Sequence, residues 1–205
     1  MSIDADYGST PLTFDELDAL LPEVREALES HDKRSVYFIE QSIQRRAYEE
    51  LSLRITAGKL IYSDLLTDAF LRKLHKYLYG EIWTWAGKYR NRELNIGIHP
   101  ARISSEVRNS LDNIRFRWEN TDDWDTRTVG IVTHAELVRI HPFTDGNGRS
   151  SRLLADLIYL SLQSSEPFEG FDWSIDKRRY IELLQRYDFH RDPTELTSFI
   201  PVKPM

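Results

Sequence analysis

An all-α fold is what this sequence predicts, and three features predict it. Apolar residues recur every three or four positions along most of the chain, as in Ile103, Val107, Leu111, Ile114 and Trp118, the stripe of a buried helix face. Capping residues stand just ahead of several such runs. The helical period fails over one short stretch, between Trp83 and Pro100. There Tyr89-Arg90-Asn91-Arg92-Glu93-Leu94-Asn95-Ile96-Gly97-Ile98 reads as a turn or short β-hairpin with extended arms.

Each element has its own signal. Thr13 and Glu16 have capping-box spacing and open a helix carrying Leu17, Leu20 and Leu21; Pro22 interrupts or restarts it. A second helix is expected from about Ser35 to Leu53, with Gly58 closing that region. Thr67 caps a segment with Phe70, Leu71, Leu74 and Leu78 on one face, closed by Gly80. After the hairpin and the Ile103 to Trp118 helix comes a polar loop, Glu119 to Asp125. An apolar helix (Val129 to Ile140), a loop (His141 to Asn147) and another apolar helix (Gly148 to Leu162) follow. A loop around Pro167 and Gly170 leads to a helix near Asp176 to Tyr187, and a short helix, Thr194 to Ile200, precedes Pro201. The expected organisation is an N-terminal helical extension over 1–64, a main domain over 65–200 and a tail over 201–205.

The bulk composition narrows the function classes. At 205 residues the chain suits one domain with a small extension. Its net charge of −6 argues against broad adhesion to nucleic acid or anionic membrane, while leaving room for a local basic pocket. No apolar run approaches the roughly 20 residues that span a bilayer, and the opening MSIDADYGST is too polar for a signal peptide. With no cysteine, disulfides and thiolate metal sites are excluded. A cytoplasmic location away from membranes is the expectation.

The segment His141-Pro142-Phe143-Thr144-Asp145-Gly146-Asn147-Gly148-Arg149-Ser150-Ser151-Arg152 concentrates site-forming residue types between two apolar helices, where loops commonly carry function. Gly146-Asn147-Gly148 can present successive backbone N–H groups at a helix start, an anion-binding nest reinforced by the helix dipole. Arg149 and Arg152 share a face of that helix and would repel one another unless an anion, such as a polyphosphate, joined them. Asp145 beside bare phosphate would be out of place; Mg²⁺ between the two resolves this. His141 supplies a group that titrates near neutrality and can accept a proton from an attacking hydroxyl. Phe143 is expected to anchor the loop in the core. A plain turn is the alternative, since Asn-Gly and Asp-Gly pairs are common in turns and His-Pro often ends a helix. No Walker-type, GxGxxG or HExxH string occurs.

This segment resembles the motif of the Fic family, HPFx(D/E)GNGRxxR, at all nine specified positions. The resemblance extends over roughly residues 66 to 200. Phe70-Leu71-xx-Leu74-His75, Trp83-xx-Ala86-Gly87-x-Tyr89-Arg90 and Asn95-Ile96-Gly97 are similar to the family's approach to its flap. Together with Thr13-Phe14-Asp15-Glu16-Leu17 they resemble the subgroup called mobile mystery protein B. The resemblance implies a Fic-type helical bundle with a β-hairpin flap over its active site, and a protein adenylyltransferase that moves AMP from ATP to a Tyr, Thr or Ser hydroxyl. It makes His141 the general base and Asp145 the Mg²⁺ ligand. Gly146, Asn147 and Gly148 would hold the α- and β-phosphates with Arg149, and Arg152 the γ-phosphate. Tyr180, Ile181 and Asp188 fall where relatives shape the nucleoside pocket. Arg92, Asn95, Ile96, Gly97 and Ile98 would form the flap edge that pairs with an extended target segment. Doc-type relatives, which phosphorylate, carry lysine at the position of Gly148, so Gly148 favours attack at the α-phosphorus.

The resemblance also raises the question of control. Many relatives are restrained by a helix with the string (S/T)xxxE(G/N), whose glutamate takes the arginine that would bind the γ-phosphate. Ser165-Glu166-Pro167-Phe168-Glu169-Gly170 fits the string, but Pro167 opposes a helix. Glu40 lies in a helical segment, although Val36 and Gln41 replace the expected residues; a solvated glutamate is its alternative reading. Failing both, a small antitoxin-like partner would supply inhibition. Other possibilities are self-modification, a restrained nucleotide-binding toxin or scaffold, and transfer of another phosphate-containing group. His75 and His134 are expected to be packed core histidines, Trp83 and Trp85 to lie under the flap, and Arg45-Arg46 to be a surface feature.

Overall fold

A computed structural model describes residues 11–28 and 32–205. The polar opening segment, read above as unlike a signal peptide, lies outside them.

Helix α1 (Phe14–Ala19) opens with the expected capping box: the Glu16 amide donates to Thr13 Oγ1 at 3.3 Å, and the Thr13 amide donates to the Glu16 carboxylate at 2.8 Å. Pro22 restarts the chain as a separate short helix, α2 (Pro22–Ala27), at a position where proline's missing N–H is not needed. Helix α3 (Lys33–Thr56) starts two residues before the expected point because Asp32 caps it, accepting from the Ser35 amide at 2.8 Å. Its buried face reads Val36, Glu40, Ile43, Ala47 and Leu51, one carboxylate among four apolar side chains. A single-turn helix, α4 (Tyr62–Leu65), was not anticipated. Thr67 caps α5 (Asp68–Tyr79) as expected, accepting from the Phe70 amide at 3.1 Å.

The centre of the molecule is a helical hairpin of α7 (Thr126–Ile140) and α8 (Asn147–Leu162), joined by the motif loop. Both helices are buried along most of their length, which is why their apolar residues are not confined to one stripe. Helix α6 (Ile103–Asn120), α9 (Lys177–His190) and α10 (Thr194–Phe199) pack on α7; α3, α4 and α5 pack on α8. The segment assigned to an N-terminal extension therefore contributes Val36, Ile43, Ala47 and Leu51 to the same core. Among the described residues no helix is long and apolar enough to cross a membrane.

The extended structure is distributed differently from the expectation. The backbones of the arms of the 89–98 segment hydrogen-bond to the motif loop and the end of α7 rather than to each other: the Arg90 amide donates to Pro142 O at 2.9 Å and the Ile98 amide to Ile140 O at 3.3 Å. The two-stranded antiparallel sheet lies elsewhere, pairing β1 (Glu169–Phe171) with β2 (Val202–Pro204) in the register Gly170 to Lys203. The expected loop at Gly170 and tail after Pro201 are thus one ribbon, tied further by the Met205 amide donating to Phe168 O at 3.0 Å.

Candidate active site

His141 ends α7 in the left-handed conformation, φ 53° and ψ 61°, a backbone state uncommon for residues other than glycine. It turns the chain away from the helix and into the motif loop. The loop then runs beside residues 87–90, with an isolated antiparallel bridge between Tyr89 and Phe143. Phe143 is 1% exposed and stacks on His75, ring centroids 3.6 Å apart, so it anchors the loop as expected. Asn147 turns inward: its side-chain amide accepts from Phe143 N and donates to Phe143 O, both at 2.8 Å. Only the backbone of Asn147 is left to face a ligand.

The two motif glycines serve different ends. Gly146 has φ 74°, and a Cβ there would come within 2.5 Å of the Tyr79 ring. Gly148 has no protein atom within 4 Å of a Cβ position. The space a side chain would take at 148 is open, beside the first-turn N–H groups that α8 cannot satisfy internally. A larger residue at 148 would therefore meet no other part of the protein.

His75 is buried on α5 and spans two segments. The Gly87 amide donates to its Nδ1 at 2.9 Å, so Nδ1 accepts; Nε2 therefore carries the proton and donates to the Asp145 carbonyl at 3.0 Å. Burial pushes His75 down to about 4, which keeps the ring neutral. The expected core histidine is confirmed, but its hydrogen bonds also hold the backbone of Asp145. The Asp145 side chain is 66% exposed, with one oxygen accepting from the Gly146 amide at 2.6 Å and the other 3.8 Å from Arg149. Among the described residues no cluster of three metal-ligating side chains occurs. This donor set fits a cation held by one carboxylate together with substrate phosphate oxygens, the way Mg²⁺ is commonly bound.

The two arginines are not in equivalent states. Arg149 is ion-paired with Glu40, the buried carboxylate of α3. Trp83 Nε1 donates to the other Glu40 oxygen at 2.8 Å, and the Arg149 guanidinium lies 5.1 Å from the Tyr79 ring centroid. Arg152 turns the other way: its Nε donates to Gly148 O at 3.1 Å and its guanidinium sits 6.0 Å from the Trp173 ring centroid. The expectation that an inhibitory glutamate would take Arg152 is thus corrected; Glu40 takes Arg149. Helix α3 packs along α8, and the indole of Trp83 fixes Glu40 against Arg149. The alternative of a solvated Glu40 is also set aside, since the residue is 7% exposed. Glu169, in the other candidate string, accepts from Tyr159 Oη at 2.8 Å in β1, a structural contact. Trp83 stacks on Trp85, but its indole serves Glu40 rather than the flap.

His141 is half-buried, and its pKa lies below the usual histidine range. Burial is the main cause and the Arg90 guanidinium the next, opposed by the Val138 carbonyl and the Asp145 charge. Of the residues expected in the flap, Gly97 packs directly on His141: with φ 88°, its Cβ position is 2.5 Å from His141 Cβ. Arg92 and Ile98 offer carbonyls to Arg90, and Ile96 is 54% exposed on the outer side with Asn95. Of the three nucleoside candidates, Tyr180 reaches the site's flank through His134, whose Nε2 lies 2.5 Å from Tyr180 Oη, and through the nearby charge of Arg152. Ile181 is 43% exposed, and Asp188 pairs with Arg191 at 2.8 Å; neither is drawn to the motif. Sequence reasoning missed Tyr79, Trp173 and the role of Arg90. No spacing rule links them to the loop, and Arg90 does not stand out among the charged residues around it.

The Fic/DOC family model matches residues 65–159. A protein adenylyltransferase fic-1 of Caenorhabditis briggsae is 34% identical over 79 residues, 37% of this chain and 15% of the relative. The protein adenylyltransferase Fic of Drosophila melanogaster is 28% identical over 116 residues, 54% of this chain and 23% of the relative. The chain therefore spans less than a quarter of the length of these curated relatives. Among solved structures, the N-terminal Fic domain of a VirB-translocated Bep effector protein from Bartonella quintana superposes with a TM-score of 0.64 at 17% identity, covering 86% of each chain. BepC of Bartonella tribocorum, with bound AMPPNP, gives 0.62 at 15% identity, covering 85% of this chain and 90% of that one.

Proposed function

With residues 65–159 this chain belongs to the Fic/DOC family, and from that premise we propose that it is a protein adenylyltransferase, moving AMP from ATP to a hydroxyl of a target protein. The observation that carries this reading is the motif loop: a neutral base, an exposed carboxylate, open helix-start amides and an arginine, gathered within twelve residues. Adenylyltransferase relatives and Fic-domain structures holding ADP or AMPPNP support a nucleotide as the substrate.

In this reading the amides of Asn147 and Gly148 receive phosphate oxygens, and Arg152 takes the γ-phosphate. Asp145 would hold Mg²⁺, which supplies charge neutralisation at the phosphates. His141, kept neutral by burial and by Arg90, accepts the proton of the target hydroxyl. The hydroxyl oxygen bonds to the α-phosphorus as the bond to pyrophosphate breaks, and positioning and charge stabilisation do most of the work. The bare space beside Gly148 suits this orientation, which a lysine there would obstruct. The target lies extended along the flap edge of Arg92, Asn95, Ile96, Gly97 and Ile98. A protein incubated with this chain should take label from [α-³²P]ATP and none from [γ-³²P]ATP; the reverse pattern would make it a kinase instead.

A restrained form of the same enzyme is the second reading, favoured by the Glu40–Arg149 pair. With Glu40 in place, the arginine that would meet the β-phosphate is already neutralised, and an incoming polyphosphate must displace a buried carboxylate. An antitoxin-like partner, self-modification and membership of the mobile mystery protein B subgroup rest on the sequence resemblance alone, and a cytoplasmic site of action on composition.

A further inference from the structure

We propose that Arg90 is a positioning residue that locks the flap and the catalytic base into one unit, and so sets where an extended target lies relative to His141. The inference rests on the reading of His141 as base and of 92–98 as docking edge. Arg90 is 4% exposed, and its guanidinium is met by three backbone carbonyls. Nε donates to His141 O at 2.7 Å, Nη1 to Arg92 O at 2.9 Å, and Nη2 to Ile98 O. Two of these carbonyls stand at the two ends of the flap, and the third belongs to the base itself. The backbone N–H of Arg90 completes the link by donating to Pro142 O at 2.9 Å.

This arrangement compensates for a locally irregular backbone. His141 and Gly97 both have positive φ, 53° and 88°, and their Cα regions are in near contact. No ladder holds the flap's arms together; the Ile98 amide, donating to Ile140 O at 3.3 Å, is its one backbone tie to α7. A planar fork with donors in several directions can satisfy all three carbonyls at once, which the single ammonium of a lysine cannot. Removing the fork leaves these part-buried carbonyls unmet and frees the flap to swing. Arg90 also faces His141 as a charge, together with Asp145, while the Val138 carbonyl meets the ring.

The test compares wild type, Arg90→Lys and Arg90→Met by two readouts that need no transferase activity. These are amide hydrogen exchange and the NMR titration of His141. In Arg90→Lys, the Ile98 amide should exchange at least about tenfold faster while α7 and α8 keep their protection. The His141 midpoint should stay near that of wild type, because the charge remains. In Arg90→Met the Ile98 amide should likewise lose protection and the His141 midpoint should rise, because a neighbouring positive charge has gone. With a target in hand, its KM should rise several-fold in Arg90→Lys while the KM for ATP holds. Unchanged exchange at Ile98, or exchange that rises only in step with α7 and α8, would overturn the proposal; if Arg90→Met fails to fold, Arg90→Lys decides alone. A wild-type chain that transfers no AMP would defeat the functional reading and leave the exchange and titration tests intact.

Discussion

At the scale of single residues, function here depends on pairs that the chain brings together from far apart. Glu40 and Arg149 are separated by 109 positions, and no local pattern encodes their contact; the helix carrying Glu40 was legible, its partner was not. The contact has a direct consequence. In the proposed function two anions, the Glu40 carboxylate and a nucleotide phosphate, would compete for one guanidinium, and the carboxylate is held in place by the Trp83 indole. Glu40→Gly should therefore raise labelling of the chain itself or of a target, and should tighten ATP binding measured by calorimetry. No change in either would remove Glu40 as a brake. His141, by contrast, was legible from its neighbours in sequence. What the structure adds is its lowered pKa: the imidazole is neutral above that value, so the proposed transfer should fall on the acid side below the usual histidine midpoint of 6.5.

At the scale of elements, the helix-loop-helix around the motif was read closely from sequence because each helix has local signals. Asp125 and Thr67 cap where expected types stand, and apolar periodicity marks the rest. The strand pairing was not, because β1 and β2 are three residues each and lie about thirty positions apart, too short for alternation to register. The motif glycines give a test at this scale. Gly146→Ala forces a positive φ on alanine and drives Cβ into the Tyr79 ring, so it should destabilise the fold by about 1–3 kcal/mol or more in chemical denaturation. Gly148→Ala meets open space and should change stability by less than about 1 kcal/mol. It should nevertheless weaken ATP binding, because a ligand is what fills that space. Equal stability losses in the two variants, or full ATP affinity in Gly148→Ala, would contradict the assignment of that space to phosphate.

At the scale of the whole molecule, three buried titratable groups flank the α7–α8 hairpin and set how stability varies with pH. Burial pushes His75 to about 4 and His134 to about 3, both below the ordinary 6.5. The unfolded chain therefore binds protons that the native state refuses, and stability contributed by these two is lost as pH falls from about 6.5 toward 4. Asp156 works in the opposite sense. Burial raises it to about 7, despite the Trp173 indole and the Phe171 amide that donate to it. Its contribution is present below its unfolded value of 3.8 and is lost as pH rises through 7. Two groups outweigh one, so wild type should lose stability on acidification from pH 7 to 5. Asp156→Asn should gain stability relative to wild type between pH 5 and 8, read from urea midpoints; a constant difference over that range would refute the elevated Asp156. Both histidines were anticipated as packed core residues. The tautomer of His75 and its grip on Asp145 depend on segments 70 residues apart and became visible only in three dimensions.

The measurement that bears most directly on the account is mass spectrometry of proteins from a lysate incubated with ATP, Mg²⁺ and the Glu40→Gly chain, with and without His141→Ala. Adenosine monophosphate should appear on a serine, threonine or tyrosine hydroxyl and vanish when His141 is replaced. A bare phosphate adduct, or an AMP adduct equally abundant without His141, would contradict it.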